Sequence, residues 1–338
     1  METDAGTIPV VKRDLSLRDR VETLGARSGL TRNNYRIAPG LYAIGEPDQN
    51  SEVLVTANFK LTFDILRSSI NSISAWILVL DSFGVNVWCA AGKGTFSTQE
   101  LVSRISKSAV EKVVKHKRVI LPQLSATGVK ARDVKKMCGF TVIFGPIRAS
   151  DIALFLQNGK KANADMRQVT FTFKDRLILT PIELNIAFKP LIVTTLAIFI
   201  ISGISPNIFS LENSLNRGLT ALIFLLIGVL SGALITPTFL PFIPFREFAA
   251  KGALSGFILA FCVLVLFSVK SNITYFSTSS SLSLLLFSTA VSSWFAMNFT
   301  GATPFTSPSG VEKEMRRFIP FQASAAILSL ILWLYSGF

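Results

Sequence analysis

Five apolar runs fill the second half of this 338-residue sequence, each near the ~20 residues that a helix needs to cross a bilayer. They extend from Phe188 to Ile204, Gly218 to Pro237, Ala250 to Val269, Ser280 to Met297 and Ile319 to Tyr335. Lipid offers no water to an unpaired backbone group, so such runs must be helices. Most of the charge lies before Ala187. That contrast predicts a soluble domain over 1–186 and an all-α, five-helix transmembrane domain over 187–338. The first run opens at Lys189-Pro190, which leaves its start the least defined of the five.

Charge placement supplies an orientation. The first twenty residues are polar, without the apolar core of a secretory signal, so the soluble part is expected in the cytoplasm with its thiols reduced. Arg246 and Lys251, and then Lys313, Arg316 and Arg317, fall in inner loops, whereas the outer loops hold only Arg217 and Lys270. An odd number of spans puts the C-terminus outside a multi-pass cytoplasmic (inner) membrane protein. The net charge of +13 comes from scattered residues such as Lys107, Lys112, Lys115 and Lys117, without a recognition motif. Membrane lipid, and no nucleic acid, is the expected partner of that basic surface. No span shows a clear carboxylate, which counts against a transporter with a cytoplasmic sensing domain. Two inner loops, Thr236–Phe245 and Thr303–Gly310, are more structured than a simple connection needs, and their functional reading is a lid or docking surface facing the soluble domain. Ser309 and Glu312 have capping-box spacing and predict a helix start.

The first half alternates strand-like and helical patterns. Val53–Thr56 precedes a helix over Leu61–Ser69, and Ala75–Asp81 precedes a short helix at Cys89. A long helix over Gln99–Lys115 leads to Val119–Leu124, a helix at Lys130–Met137, then Thr141–Gly145 and a helix at Ser150–Gln157. This order predicts an α/β domain with a mostly parallel sheet. Gln168–Phe173 and Arg176–Ile182, joined at Lys174-Asp175, read as a hairpin. Ligands of such sheets sit at the carboxyl ends of the strands. That edge should collect Thr56 with Asn58, the Cys89 helix, Ser125 and Thr127 with Gly128, and Gly145 with Pro146.

The octapeptide Asn86-Val87-Trp88-Cys89-Ala90-Ala91-Gly92-Lys93 stands on this edge. Asn86 is a good N-cap, which makes Val87, Trp88 and Cys89 the first helical residues, near the positive end of the helix dipole. Lys93 shares the face of Cys89 and favours its thiolate, and Gly92 and Gly94 end the helix within about two turns. Ala90 and Ala91 leave room for something broad to approach. A thiolate placed there can attack, ligate a metal or shuttle electrons. Gly92-Lys93-Gly94-Thr95 is not a phosphate loop, because Lys93 is followed by Gly94 and Gly84 lies too far upstream. Cys138 is expected in the core and Cys262 in a span. Without a C-x-x-C pair the chain lacks the spacing for its own iron–sulfur cluster or zinc site. His116 lies in the basic stretch Lys115-His116-Lys117, poorly placed for a triad.

The octapeptide, with Gly94-Thr95-Phe96 after it and Trp76–Asp81 before it, resembles the cap-helix signature of the mercury-methylating corrinoid proteins. The resemblance continues through Val53–Asn58, Leu121-Pro122-Gln123-Leu124, Phe144-Gly145-Pro146, Phe305–Val311 and the five spans. The soluble domain is also similar to the corrinoid-binding domain of the corrinoid iron–sulfur protein large subunit. The resemblance implies a Rossmann-like domain that binds cobalamin or a related corrinoid, with the cap helix and the loops at Thr56, Ser125, Thr127 and Gly145 around it. It implies that Cys89 ligates cobalt on the lower face and that the chain transfers methyl to Hg(II), forming methylmercury in an anaerobic prokaryote. A folate-type donor, direct or through a methyltransferase, and a ferredoxin-like reductant with two 4Fe–4S clusters are the implied partners. A corrinoid methyl carrier of one-carbon metabolism, with mercury adventitious, is the alternative.

Overall fold

The computed structural model describes residues 1–70, 73–271, 277–303 and 308–338. Its chain divides into two compact units, Met1–Thr170 and Phe171–Phe338.

The first unit is built on a sheet of six strands: β1 (Val10–Val11), β2 (Gly40–Ile44), β3 (Val53–Ala57), β4 (Ala75–Leu80), β5 (Arg118–Leu121) and β6 (Thr141–Phe144), in spatial order β1-β2-β4-β3-β5-β6. Every neighbouring pair is parallel except β2 with β4. β3 and β4 are buried along their whole length, which is why both read as unbroken apolar runs rather than alternating ones. Their side chains still alternate between two cores. Val53, Val55 and Ala57 join Trp76, Leu78 and Leu80 on one face, while Leu54 joins Ala75, Ile77 and Val79 on the other.

Helices cover both faces: α1 (Leu17–Arg27), α2 (Lys60–Ser69), α3 (Val87–Lys93), α4 (Thr98–Lys107), α5 (Val110–Val113), α6 (Ala131–Cys138) and α7 (Ile152–Gln157). Ala90, Leu101 and Val134 of α3, α4 and α6 enter one core, and Phe63 and Phe155 of α2 and α7 the other. The chain therefore leaves β3 over one face, through α2 to β4, and leaves β4 over the opposite face, through α3–α5 to β5. The connections that leave β3 through α2 and β5 through α6 run over opposite faces and diverge between the carboxyl ends of these two strands, where open α/β sheets bind ligands.

Several boundaries differ from the sequence pattern. The helix expected over Gln99–Lys115 breaks at Ala109, whose φ of 46° is left-handed. The strand expected to reach Leu124 stops at Leu121 because Pro122 has no N–H for the ladder. α1, β1 and β2 were not anticipated. Ion pairs tie α1 to α2: Lys60 Nζ lies 2.6 Å from Asp19 and 2.7 Å from Asp64, and Arg67 reaches both carboxylates. Burial raises the Asp19 pKa, but hydrogen bonds from Lys60, Ser16 and Arg67 outweigh it and hold the carboxyl well below the usual range.

The second unit is helical, with α8 (Phe173–Leu177), α9 (Thr180–Ser202), α10 (Leu211–Leu230), α11 (Phe248–Ser271), α12 (Thr278–Phe299) and α13 (Pro308–Tyr335). Among the described residues, five stretches are long and apolar enough to cross a membrane: Phe173–Ser202, Leu211–Thr238, Phe248–Val269, Thr278–Phe299 and Ser309–Tyr335. The expected hairpin over Gln168–Ile182 is absent. Thr172 and Asp175 form a capping box that starts α8, so Lys174-Asp175 is a helix's first turn and not a β-turn. The helices that carry the first and last apolar runs start earlier than those runs and include Glu183 and Glu314, the latter buried and accepting from Ala249 N at 2.7 Å. α13 starts at Pro308, placing Ser309 inside the helix rather than at its cap. Of the Phe305–Val311 resemblance and the Thr303–Gly310 loop, residues 304–307 lie outside the described residues.

Candidate functional site

The loop after β4 is fixed by a buried amide. Asn58 follows β3 directly, and its Oδ1 accepts from the backbone N–H of Ser82 at 3.1 Å and of Gly84 at 2.9 Å. Its Nδ2 donates to Asp81 Oδ1 at 3.0 Å, and Glu100 of α4 accepts from the Asp81 N–H at 2.9 Å. Phe83 and Gly84 turn the chain through positive φ, 57° and 76°. These bonds answer for the loop's buried polar groups and fix where α3 begins.

As the sequence predicts, Asn86 caps α3: its Oδ1 accepts from Cys89 N at 2.9 Å. Gly94, left-handed at φ 78°, ends the helix. Seven residues give α3 two clear faces. Val87, Ala90 and Ala91 are buried, whereas Trp88, Cys89, Gly92 and Lys93 are exposed together. Ala90 and Ala91 thus face the core rather than a ligand, correcting the room assigned to them. The small size of Ala91 serves a contact inside the protein, since a Cβ at Gly128 would sit 2.9 Å from Ala91 Cα and 2.2 Å from Phe96 O. Gly92 is the reverse case: a Cβ there meets nothing within 4 Å.

Beside this face, at the carboxyl edge of β3, β5 and β6, is a cavity of about 310 Å³. Its walls are mostly apolar and include Ile65, Leu66, Pro122, Leu124, Pro146 and Ile152. Of the sequence-predicted residues, Thr56, Asn86, Val87, Trp88 and Gly145 line it. Cys89, Gly92 and Lys93 lie on the adjoining exposed face of α3 and are not part of the wall. Ser125 is buried with its hydroxyl donating to Pro122 O at 2.8 Å, so it shapes the loop, and Thr127 is exposed beyond it.

Asn58 was expected on this edge but not as the residue that organises the loop after β4, and Asp81 and the α2 wall were missed. The signal was a polar residue straight after each of two fully apolar strands, where a buried amide and carboxylate can organise the next loop. Elsewhere, Cys138 Sγ donates to Val134 O at 3.3 Å, and Cys262 is exposed on α11. His116 bonds Ser51 O at 2.9 Å, at the amino end of β5 and away from the cavity. Among the described residues no three His, Cys, Asp or Glu side chains cluster as a metal site.

Residues 30–156 match the family described as CO dehydrogenase/acetyl-CoA synthase delta subunit. The acetyl-CoA decarbonylase/synthase complex subunit gamma of Methanopyrus kandleri is 35% identical over 128 residues, 37% of this chain and 27% of that protein. The corrinoid/iron-sulfur protein large subunit of Moorella thermoacetica is 33% identical over 122 residues, 36% of this chain and 27% of that protein. The subunit gamma 2 of Methanosarcina thermophila is 36% identical over 111 residues, 32% and 23% of the two chains. The chain spans about a quarter of the length of these relatives. The matched stretch contains the whole cavity edge and α3; α1 and all five apolar helices lie outside it.

Proposed function

We propose that the first unit binds a corrinoid against the cavity edge and the exposed face of α3, and uses it for methyl transfer. The observation that carries this reading is Gly92. A glycine inside a helix costs about 1 kcal/mol relative to alanine, and nothing in the chain lies close enough to require it. A broad ligand lying across Trp88, Cys89 and Gly92 gives that glycine a reason. The relatives' corrinoid and acetyl-CoA synthase names, on the matched stretch, support the same choice.

A corrinoid held there supplies a cobalt centre able to take up and release a methyl group. The chain's own part is to offer an exposed sulfur, to fix its place and to dry one side of the site. Cys89 would hold the cobalt through its sulfur, a soft donor that would raise electron density on the metal. The Asn86 cap and the Gly94 terminus hold α3 short and rigid under that sulfur. Trp88, Pro122 and Pro146 exclude water, and Lys93 offers N–H donors to peripheral carbonyl groups.

We assign Hg(II) as methyl acceptor, which takes methyl as a carbanion equivalent or a radical. A folate-type donor and an electron-delivering protein with two 4Fe–4S clusters complete the set, since this chain has no C-x-x-C spacing. The second unit anchors the first in the inner membrane, with Met1 inside and Phe338 outside. The similarity to acetyl-CoA decarbonylase/synthase subunits favours a second reading, a methyl carrier of one-carbon metabolism. The test is to charge the purified chain with methylcobalamin and offer Hg(II), or a nickel-thiolate acceptor of the acetyl-CoA synthase kind. Methylmercury formed stoichiometrically supports the first reading. Transfer to the nickel acceptor alone supports the second, and a chain that retains no corrinoid sinks both.

A further inference from the structure

Among the five described apolar helices α9 is the least embedded: 6% of its most apolar stretch is buried by its neighbours, against 56% for α12. The gap it leaves beside α12 and α13 is a cavity of about 540 Å³, within the range of small-molecule sites. A narrower cavity of about 170 Å³ shares Thr194, Phe287 and Ala326 with it and reaches Trp333. Together they form one slot running lengthwise along the helices.

The slot is polar at one end. Glu183 near the start of α9, Asn298 near the end of α12 and Gln322 at the middle of α13 gather there, and the remaining walls are largely apolar. Gln322 is 8% exposed, and its Nε2 donates to Ser293 Oγ at 2.8 Å. The Ser293 hydroxyl gives its one proton to Ala249 O at 2.9 Å, so it can only accept from the amide. That fixes which way the amide points and leaves Gln322 Oε1 as a buried acceptor without a donor among the described residues. Such an atom is costly to keep in any apolar setting, most of all within lipid. The half-buried Glu183 carboxylate lines the same cavity without a salt bridge among the described residues.

We propose that this slot binds an aminophospholipid. The ammonium N–H groups meet Glu183 and Gln322 Oε1, and an acyl chain lies along the slot past Thr194 and Phe287 toward Trp333. A free acceptor beside a carboxylate calls for a cationic donor, and an open apolar slot beside a lipid-facing helix calls for a tail. The inference rests on the reading that α9–α13 span a membrane. That reading has its own check: a chain released from membranes by alkaline carbonate defeats the membrane assignment and the lipid site with it.

The full chain, purified in detergent, is titrated with phosphatidylethanolamine or phosphatidylcholine of matched acyl chains while its thermal transition is followed. The two lipids differ in whether the head group has N–H donors. Phosphatidylethanolamine is expected to raise the transition by several degrees more than phosphatidylcholine. Glu183→Gln with Gln322→Leu is expected to erase the difference. Equal shifts in the wild type, or a difference that survives the double variant, overturns the proposal. Phosphatidylethanolamine with a photoreactive group in its acyl chain tests the wild type without relying on a variant. Labelling is expected on peptides containing Thr194, Phe287 or Ala326, and labelling confined to other segments overturns the site.

Discussion

On α3 of the first unit, Gly92 looks onto open space, and a Cβ added there meets nothing within 4 Å. On α11 of the second unit, a Cβ at Gly252 would lie 2.4 Å from Ala296 Cβ and 2.6 Å from Ser292 O. The two glycines look alike in the sequence and answer different demands. Gly252 lets two helices approach until Ser292 Oγ donates to Gly252 O at 2.6 Å, the small-residue packing typical of helices in lipid. Its reason is inside the chain. Gly92 has no such reason, and the contrast is what points outward, to a ligand that needs the space.

Enlarging each glycine is the sharpest way to break that comparison. Gly252→Leu should cause the largest change, because the neighbours are helix backbone and a methyl with nowhere to go. Overpacking costs about 1–3 kcal/mol and occasionally more, and here loss of a monodisperse species in detergent is expected. Gly92→Leu should leave the thermal transition unchanged or slightly raised while weakening corrinoid binding by more than about tenfold, 1.4 kcal/mol. Unaltered binding would remove the reason offered for this glycine. Asn58→Ala sharpens the account of how α3 is placed. It strands the Ser82 and Gly84 N–H groups, so about 1–3 kcal/mol of stability should be lost in urea unfolding, with weaker corrinoid binding as the loop shifts.

The smallest effect concerns α1, which lies outside the matched stretch. Asp19 has a depressed folded-state pKa, so its contribution is present above the unfolded value near 4 and is lost as pH falls through the folded value. Asp19→Asn should therefore cost about 1 kcal/mol at pH 7, with the gap to wild type closing below about pH 4. Denaturant midpoints at pH 7 and pH 3 measure it. A gap that widens in acid contradicts the assignment.

Much of this was legible in the sequence because the signals were local. β3 and β4 are apolar throughout, Asn86 stands three residues before the amide it caps, and the five apolar runs coincide with five helices. Legibility failed where the deciding partner was distant or two periods competed. The Lys60–Asp19 pair spans forty-one positions, so nothing near α1 announced it. Residues 168–182 alternate well enough for strands, but one Thr172–Asp175 capping box turns them to helix. In the site, the cap and the exposed cysteine were readable. Which way Ala90 and Ala91 faced was not, because that follows from Gly128 packing onto α3.

The central proposal is that Cys89 ligates the cobalt of a corrinoid bound on α3. The direct measurement is the absorption spectrum of cobalamin bound to the purified wild-type chain and to Cys89→Ala, each with its bound cobalt quantified. The account predicts comparable cobalt in both proteins and a clear displacement of the visible bands in the variant. Superimposable spectra at equal loading, or a wild-type chain that binds no cobalamin, would contradict it.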